Sequence, residues 1–204
     1  SRYHRAGASG IYVFNWHANR DSKRPLLTTI GSPDTLDSED KIYAATHRYI
    51  QQEGAWRGAF RIDRLYGQVP VDLIQTLTGE GPTITLEMAD DFDAHKPALL
   101  QLRLRVNEWS NGDAVQVTWD AEPLTPPMID HCRLDNPSPP GGAFLPPPRW
   151  RDISERSSAV WLSWDLTDSK VTPGEHEVGI AVQDRNPLVG AALILTDVEL
   201  VVRY

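Results

Sequence analysis

Apolar residues occupy every second position over much of the chain, and the alternation is clearest in its last third. It runs through Val160–Leu166, Val178–Val182 and Val198–Tyr204. A period of two is typical of a β-strand that has one face in a core and the other in water. In the first of these strands Trp164 shares the phase of the apolar residues, so we expect it in the core. Trp161 has the opposite phase and is expected on the outer surface.

The middle of the chain has the same period. Thr83–Met88 and Leu100–Val106 alternate, and Asn111–Asp113 is a tight-turn signal before a further strand over Val115–Trp119. Near Thr196-Asp197 the phase slips, which predicts a β-bulge or a corner where the strand changes sheets. About seven or eight strands without intervening helices predict a mainly β fold, a two-sheet antiparallel β-sandwich of the jelly-roll, galactose-binding-like type.

The N-terminal region has a different pattern. Ile11–Trp16 is apolar without alternation, which suits a strand buried on both faces, as in a parallel sheet. Pro25–Ile30 and Ser32–Tyr49 then have helical character, and the glycine between them can end the first helix. We therefore expect residues 1–54 to be the last strand–helix unit of a larger α/β fold, and residues 55–204 to form the β-sandwich.

Prolines are concentrated between Pro123 and Trp150, with a glycine pair among them. Proline has no amide hydrogen to donate to a β-ladder, so this stretch cannot be a central strand. A loop of this length in a compact domain tends to be functional or disordered. We expect residues 123–150 to form an ordered surface loop of the sandwich.

Composition removes several classes of partner. The formal net charge of -8 argues against a nucleic-acid partner, which would require a basic face. No apolar run approaches the ~20 residues that would cross a bilayer, so no membrane partner is expected. Cys132 is the only cysteine, so no disulfide can form within the chain. Ser1–Gly10 does not read as a signal peptide.

Several motifs resemble the C-terminal part of a group of bacterial glycoside-hydrolase-like proteins, in which a (β/α)8 barrel is followed by a β-sandwich. The segments similar to the end of the barrel are Asn15-Trp16, Ile30–Leu36 and Asp40–Tyr43. Those similar to the sandwich are Arg103–Val106, Gly112–Val117, Trp161–Leu166 and Asp197–Tyr204. The resemblance implies that residues 1–54 are a barrel remnant. It also implies a carbohydrate ligand and a secreted or periplasmic bacterial parent protein.

The tryptophans are the most informative candidate ligand residues. A sugar site combines an aromatic platform, which contacts the C–H face of the ring, with polar groups that bind its hydroxyls. The candidates are Trp161, Trp109, Trp150, Arg103, Arg105 and Gln101. Trp16 joins them through the resemblance, because it would end the last barrel strand on the side that faces the active site.

Catalytic and metal signals are weak. The barrel carboxylates implied by the resemblance are absent, so no catalytic residue is predicted and activity of this chain stays open. Asp90, Asp91 and Asp93 read as a solvated or cation-binding loop, and a structural calcium is the one cofactor to consider. Histidines are scattered, and the His131-Cys132 pair supplies only two ligands, so no zinc site is expected.

Three hypotheses follow from the sequence. The first is a non-catalytic carbohydrate-binding module that binds a polysaccharide or oligosaccharide. The second is a structural domain that supports its barrel and self-associates through the apolar surface left by the missing barrel. The third is an enzyme, either with a cleft in the sandwich or as a hydrolase fragment with residual active-site residues.

Overall fold

The structure is a computed structural model that describes residues 2–5, 7–9, 29–32, 34–46, 67–131 and 158–204. Within these ranges the chain forms the short helix α1 (Arg2–Arg5) and ten β-strands. The strands are β1 (Lys41–Ala44), β2 (Val71–Leu73), β3 (Thr83–Met88), β4 (Leu99–Trp109), β5 (Ala114–Trp119), β6 (Glu122–Pro123), β7 (Met128–His131), β8 (Ser158–Asp165), β9 (Gly174–Asp184) and β10 (Leu193–Arg203). No helix in the described part of the chain is long and apolar enough to span a bilayer.

The strands form two antiparallel sheets, which confirms the prediction of a mainly β fold. The first sheet has the order β1-β10-β4-β8-β7, and β2 also pairs with β10. β1 lies beside Glu199–Val202 of β10, and β2 lies beside Leu193–Leu195 of the same strand. The second sheet has the order β3-β9-β5-β6. Its long central strand β9 carries β3 on one side and β5 on the other.

One hydrophobic cluster contains buried side chains from both sheets. The first sheet contributes Leu102, Leu104, Leu162 and Leu200 among others, and the second contributes Leu86, Val117, Val178 and Ile180. Burying a side chain of this size contributes roughly 1.5–3 kcal/mol. Trp164 is 5% exposed and belongs to this cluster, whereas Trp161 is half-buried on the opposite face of β8. The alternation therefore predicted the two tryptophan environments correctly.

Two bulges shift the alternation of the long strands. In β10 the register shifts between Leu195 and Asp197, as predicted, so that Leu195 and Val198 both reach the core. In β4 the register shifts between Val106 and Trp109, and Glu108 there has a φ of 60°. An extra residue of this kind inverts the phase of the strand. Trp109 consequently faces inward and is 5% exposed.

The helical interpretation of Ser32–Tyr49 is wrong where the structure describes it. Residues 34–38 form turns, and β1 (Lys41–Ala44) pairs with β10 at the edge of the first sheet. Tyr43 lies opposite Leu200 and is buried, so strand pairing and core packing override the local helical pattern. The first sheet thus begins before the predicted boundary at residue 54. Ile11–Trp16 and residues 25–28 lie outside the described residues, whereas Thr29 and Ile30, the last two of Pro25–Ile30, are helical as predicted.

The first residues of the predicted proline-rich loop are partly strand. β6 ends at Pro123, which pairs with Thr118, and β7 pairs with β8. Each of these strands is the last of its sheet, the position at which the missing amide of a proline is tolerated. The rest of the predicted loop, residues 132–150, lies outside the described ranges.

A buried polar cluster, here called the Asp113 clasp, fixes the hairpin between β4 and β5. The Asp113 carboxylate accepts hydrogen bonds from the Ser110 amide (2.7 Å), the Ser110 hydroxyl (2.9 Å) and the Asn186 amide (2.7 Å). It also pairs with the Arg185 guanidinium. Burial works to raise the pKa of Asp113, but the hydrogen bonds from Asn186, Arg185 and Ser110 outweigh it and hold this pKa below its usual range.

Candidate functional site

The outer surface of the first sheet presents a polar row along β4, because the alternation that buries its leucines turns the intervening side chains outward. The neighbouring strands add further side chains on the same face. Arg105 lies opposite Trp161 of β8 and opposite Asp197 of β10, and Arg103 lies opposite Glu199. We call this surface the β4 face. Its members are Gln101, Arg103, Arg105, Asn107, Trp161, Asp197 and Glu199.

Arg103 is the fixed member of the β4 face. Its Nε lies 2.6 Å from Glu199 Oε2, and the centre of its guanidinium lies 4.7 Å from the centroid of the Trp161 ring. A guanidinium over an indole face is attracted by the ring electrons, and the ion pair with Glu199 holds it in that position. The result is an aromatic ring and a planar cation that share one partly exposed surface.

Arg105 and Asn107 are held less completely. Arg105 Nη1 lies 3.9 Å from Asp197 Oδ2, too far for a hydrogen bond. Asp197 Oδ2 instead accepts a hydrogen bond of 2.8 Å from the Thr196 hydroxyl. Arg105 Nε and Asn107 Oδ1 are buried and have no hydrogen-bond partner within the described part of the chain. Each such group costs about 1–3 kcal/mol, so a rotation that brought either atom to a polar ligand would recover free energy.

The structure brings together some of the predicted ligand residues and separates others. Trp161, Arg103 and Arg105 are adjacent, and Gln101 is in the same outward row, opposite Asp165. The expectation for Trp109 needs correction. Because the bulge at Glu108 turns its ring into the core, Trp109 offers no surface for stacking. Trp150 and Trp16 lie outside the described residues, and their predicted role stays a prediction.

The two acidic side chains of the β4 face, Asp197 and Glu199, were not predicted from the sequence. Asp197 and Glu199 follow the bulge of β10, and Asn107 continues the outward row of β4. The alternation of Asp197-Val198-Glu199 does signal two outward carboxylates. Their position beside the arginines depends on the pairing of β10 with β4, which joins segments about ninety residues apart and leaves no local pattern.

The acidic loop proposed as a cation site has structural roles in the described residues. Asp90 Oδ2 lies 2.8 Å from Lys41 Nζ and accepts a hydrogen bond of 3.0 Å from the Tyr204 hydroxyl. Burial first, and then the Asp90 carboxylate, raise the pKa of Tyr204 above its usual range. Asp91 Oδ1 accepts from the amides of Asp93 and Ala94. No group of three or more His, Cys, Asp or Glu side chains in the described ranges is placed to hold a metal ion.

One histidine–carboxylate pair has the outline of an acid–base site. His176 Nδ1 lies 2.6 Å from Asp120 Oδ2, and the ring stacks on Trp119 at 4.9 Å between centroids. However, His176 Nε2 lies 2.7 Å from the Thr172 carbonyl oxygen, and the residue is 5% exposed. Because both ring nitrogens face acceptors within the fold, the ring has no nitrogen to offer a substrate. The pair anchors β9 to the β5–β6 turn.

Compared with known proteins, the chain matches no protein-family model, and no curated protein sequence is significantly similar to it. The function is therefore inferred from the geometry of the described residues and from the motifs of the sequence. The β4 face is a described surface that contains several predicted ligand residues. It combines a partly exposed aromatic ring with several polar side chains.

Proposed function

We propose that the chain is a non-catalytic carbohydrate-binding β-sandwich of jelly-roll type, from a larger glycoside-hydrolase-like protein that is secreted or periplasmic. The glycan lies along the β4 face. The observation that carries this proposal is the outward Trp161 ring with the Arg103 guanidinium 4.7 Å from its centre. A sugar presents an apolar C–H face and a rim of hydroxyls, and this pair offers a surface of matching character.

The dimensions of the β4 face suit a chain of sugars better than a single one. The outward row from Gln101 to Asn107 covers six steps along an extended strand, or about 20 Å at roughly 3.4 Å per residue. Gln101 and Asn107 add amide groups at the two ends, and Arg105 supplies, near the middle, an Nε–H with no partner among the described residues. The face is open, so little of the ligand is buried and binding is weak.

Affinity electrophoresis tests the proposal directly. The unmutated chain is run through gels that contain soluble neutral polysaccharides, namely hydroxyethylcellulose, galactomannan, arabinoxylan and laminarin. We expect at least one of them to retard it, and Trp161→Ala to reduce the retardation strongly because the stacking surface is lost. Leu188→Ala removes another exposed apolar side chain, 79% exposed and in the loop between β9 and β10, and serves as the control. Unchanged retardation of Trp161→Ala, or no retardation of the unmutated chain in any gel, would overturn the proposal.

The structural hypothesis has one observation in its favour. Edge strand β7 is exposed along its whole length, with Met128 67% and Ile129 44% exposed. A strand at the end of a described sheet that exposes apolar side chains is a ready contact for another chain or domain. If this role dominates, the molar mass measured by light scattering will rise with protein concentration, and Ile129→Lys will suppress the rise. A constant monomer mass would exclude self-association through this edge.

A further inference from the structure

The second sheet has a groove on its outer surface, at a site that the proposed function does not use. The groove measures about 640 Å³, within the range of about 300–1,000 Å³ common for small-ligand sites. Its floor is the outward side of β9 and β5, where Gly179 lies opposite Thr118 and Ala181 lies opposite Gln116. The small side chains of β9 lower this floor relative to the flanking Gln116 and Gln183.

The wall of the groove is the loop of residues 75–81, which crosses from β2 of the first sheet to β3 of the second. It is anchored to the floor, since Gln75 Nε2 donates to the Gln183 carbonyl oxygen at 2.6 Å. Gly81 packs so closely that a Cβ there would lie 1.7 Å from the Ile180 carbonyl oxygen. The Thr76 hydroxyl closes the loop on itself by donating to the Glu80 carbonyl oxygen at 2.8 Å. The groove is therefore a built feature of the fold.

Glycine in the interior of a strand weakens the strand and often marks a close approach of another group. A Cβ at position 179 would lie 2.5 Å from Thr118 Oγ1, so the glycine leaves room for that hydroxyl at the surface of the floor. Ala181, two residues further along β9, also keeps the floor low. Small residues in the centre of a strand thus create a surface on which a flat ring can lie.

Most of the groups that line the groove are uncharged. Its polar side chains are amides and hydroxyls, and Glu80 is the one ionisable side chain among the described residues that line it. The chain as a whole carries a net charge of -8, which disfavours polyanions. Leu77 lies at the rim and is fully exposed, so it adds an apolar contact. Neutral hydrogen-bonding groups with one apolar edge are complementary to uncharged, hydroxyl-rich molecules.

We propose that this groove is a second binding site, for an uncharged polysaccharide chain, on the sheet opposite the β4 face. The ligand class rests on the proposed function, whereas the location rests on the groove itself. Two sites on opposite faces would let one molecule contact two glycan chains, which raises retention on an insoluble polysaccharide without any tight single site.

A titration followed by amide chemical shifts tests the proposal. The full chain is titrated with neutral cello-, manno- and xylo-hexaose and, separately, with acidic hexagalacturonate. We expect a neutral hexasaccharide to shift the amides of Gly179 and Ala181 and the side-chain amide of Gln183. Ala181→Leu fills the groove and should weaken these shifts about tenfold in affinity. Ala94→Leu adds the same side chain at an exposed loop position and should leave them unchanged. Trp161→Ala should also leave them unchanged.

Each alternative outcome is decisive. Shifts confined to the β4 face, with Ala181→Leu behaving as the unmutated chain, would overturn the groove and leave the proposed function standing. Shifts confined to the groove would support it and move the glycan site away from Trp161. A preference for hexagalacturonate would overturn the assignment to uncharged chains. An absence of shifts with every oligosaccharide would overturn both proposals.

Discussion

The Asp113 clasp and the β4 face both place an arginine beside an aspartate, but they treat the pair differently. In the clasp, Arg185 contacts Asp113 and also donates to backbone carbonyl oxygens, and the carboxylate accepts from Ser110 and Asn186 as well. On the β4 face, Arg105 stays 3.9 Å from Asp197, and its Nε has no partner among the described residues.

The difference distinguishes the structural role of the clasp from the binding role that we propose for the β4 face. A buried network whose members are all satisfied fixes one conformation and gains nothing from a ligand. A partly exposed network with unsatisfied atoms gains a hydrogen bond when a polar ligand arrives. The clasp therefore serves the fold, and the β4 face is the surface on which binding should be measured.

The largest expected effect comes from breaking the clasp. Asp113→Ala leaves Arg185 and the neighbouring amides without their acceptor, and removal of one partner from a buried pair costs about 3–5 kcal/mol. Urea unfolding measures this loss of unfolding free energy. Asp168→Ala is the control, because its pair with Lys96 is exposed at 4.0 Å and should contribute nothing measurable. Equal stability of the two variants would contradict the structural role of the clasp.

The next effect separates binding from stability on the β4 face. Arg105→Met keeps an unbranched side chain of similar length and removes the unsatisfied Nε. We expect glycan affinity to fall about tenfold, while the free energy of unfolding stays the same or rises. Gel retardation and urea unfolding, measured on the same protein sample, report the two quantities. A loss of stability with unchanged affinity would assign Arg105 a structural role instead.

The pH dependence of stability should distinguish the Asp113 clasp from the β4 face. Its pKa is lowered in the folded state, so its contribution to stability is complete above the unfolded value of about 3.9 and is lost as the pH falls through the lower folded value. Urea unfolding between about pH 2 and pH 6 should therefore show a decline in stability below about pH 4. Asp113→Asn should flatten part of that decline. An identical slope in the variant would show that Asp113 is not linked to acid unfolding.

The smallest expected effect concerns Arg103. Arg103→Lys retains a charge for Glu199 but loses the planar group that lies over Trp161. Because the pair is partly exposed, we expect less than about 1 kcal/mol of lost stability, together with a few-fold loss of glycan affinity. Arg103→Met, which also loses the charge, should weaken binding further. A lysine variant with full affinity would show that the stacked guanidinium is not required.

The sequence predicted those parts of the molecule that depend on local alternation. Trp161 and Trp164 fell on the predicted faces of β8, and the slip near Thr196 proved to be a bulge, because both follow from a period of two. The prediction of Trp109 as a ligand residue was wrong because the left-handed φ of Glu108 inverts the phase of the strand. A glutamate in the sequence does not indicate such a conformation.

Long-range pairing accounts for the remaining differences. β1 has a locally helical pattern and becomes a strand only because β10 offers it an edge. The acidic side chains of the β4 face depend on the pairing of β10 with β4 in the same way. The groove requires the crossing of residues 75–81 over β9, and no short motif encodes that approach.

A double-mutant cycle tests most directly whether the β4 face is one binding site. Trp161→Ala, Arg105→Met and the double variant are titrated calorimetrically with the polysaccharide that retards the unmutated chain most. We predict that each single change weakens binding and that the double change weakens it by less than the two losses combined, with a coupling of about 0.5 kcal/mol or more. Two independent, fully additive losses, or unchanged affinity in both single variants, would contradict the account.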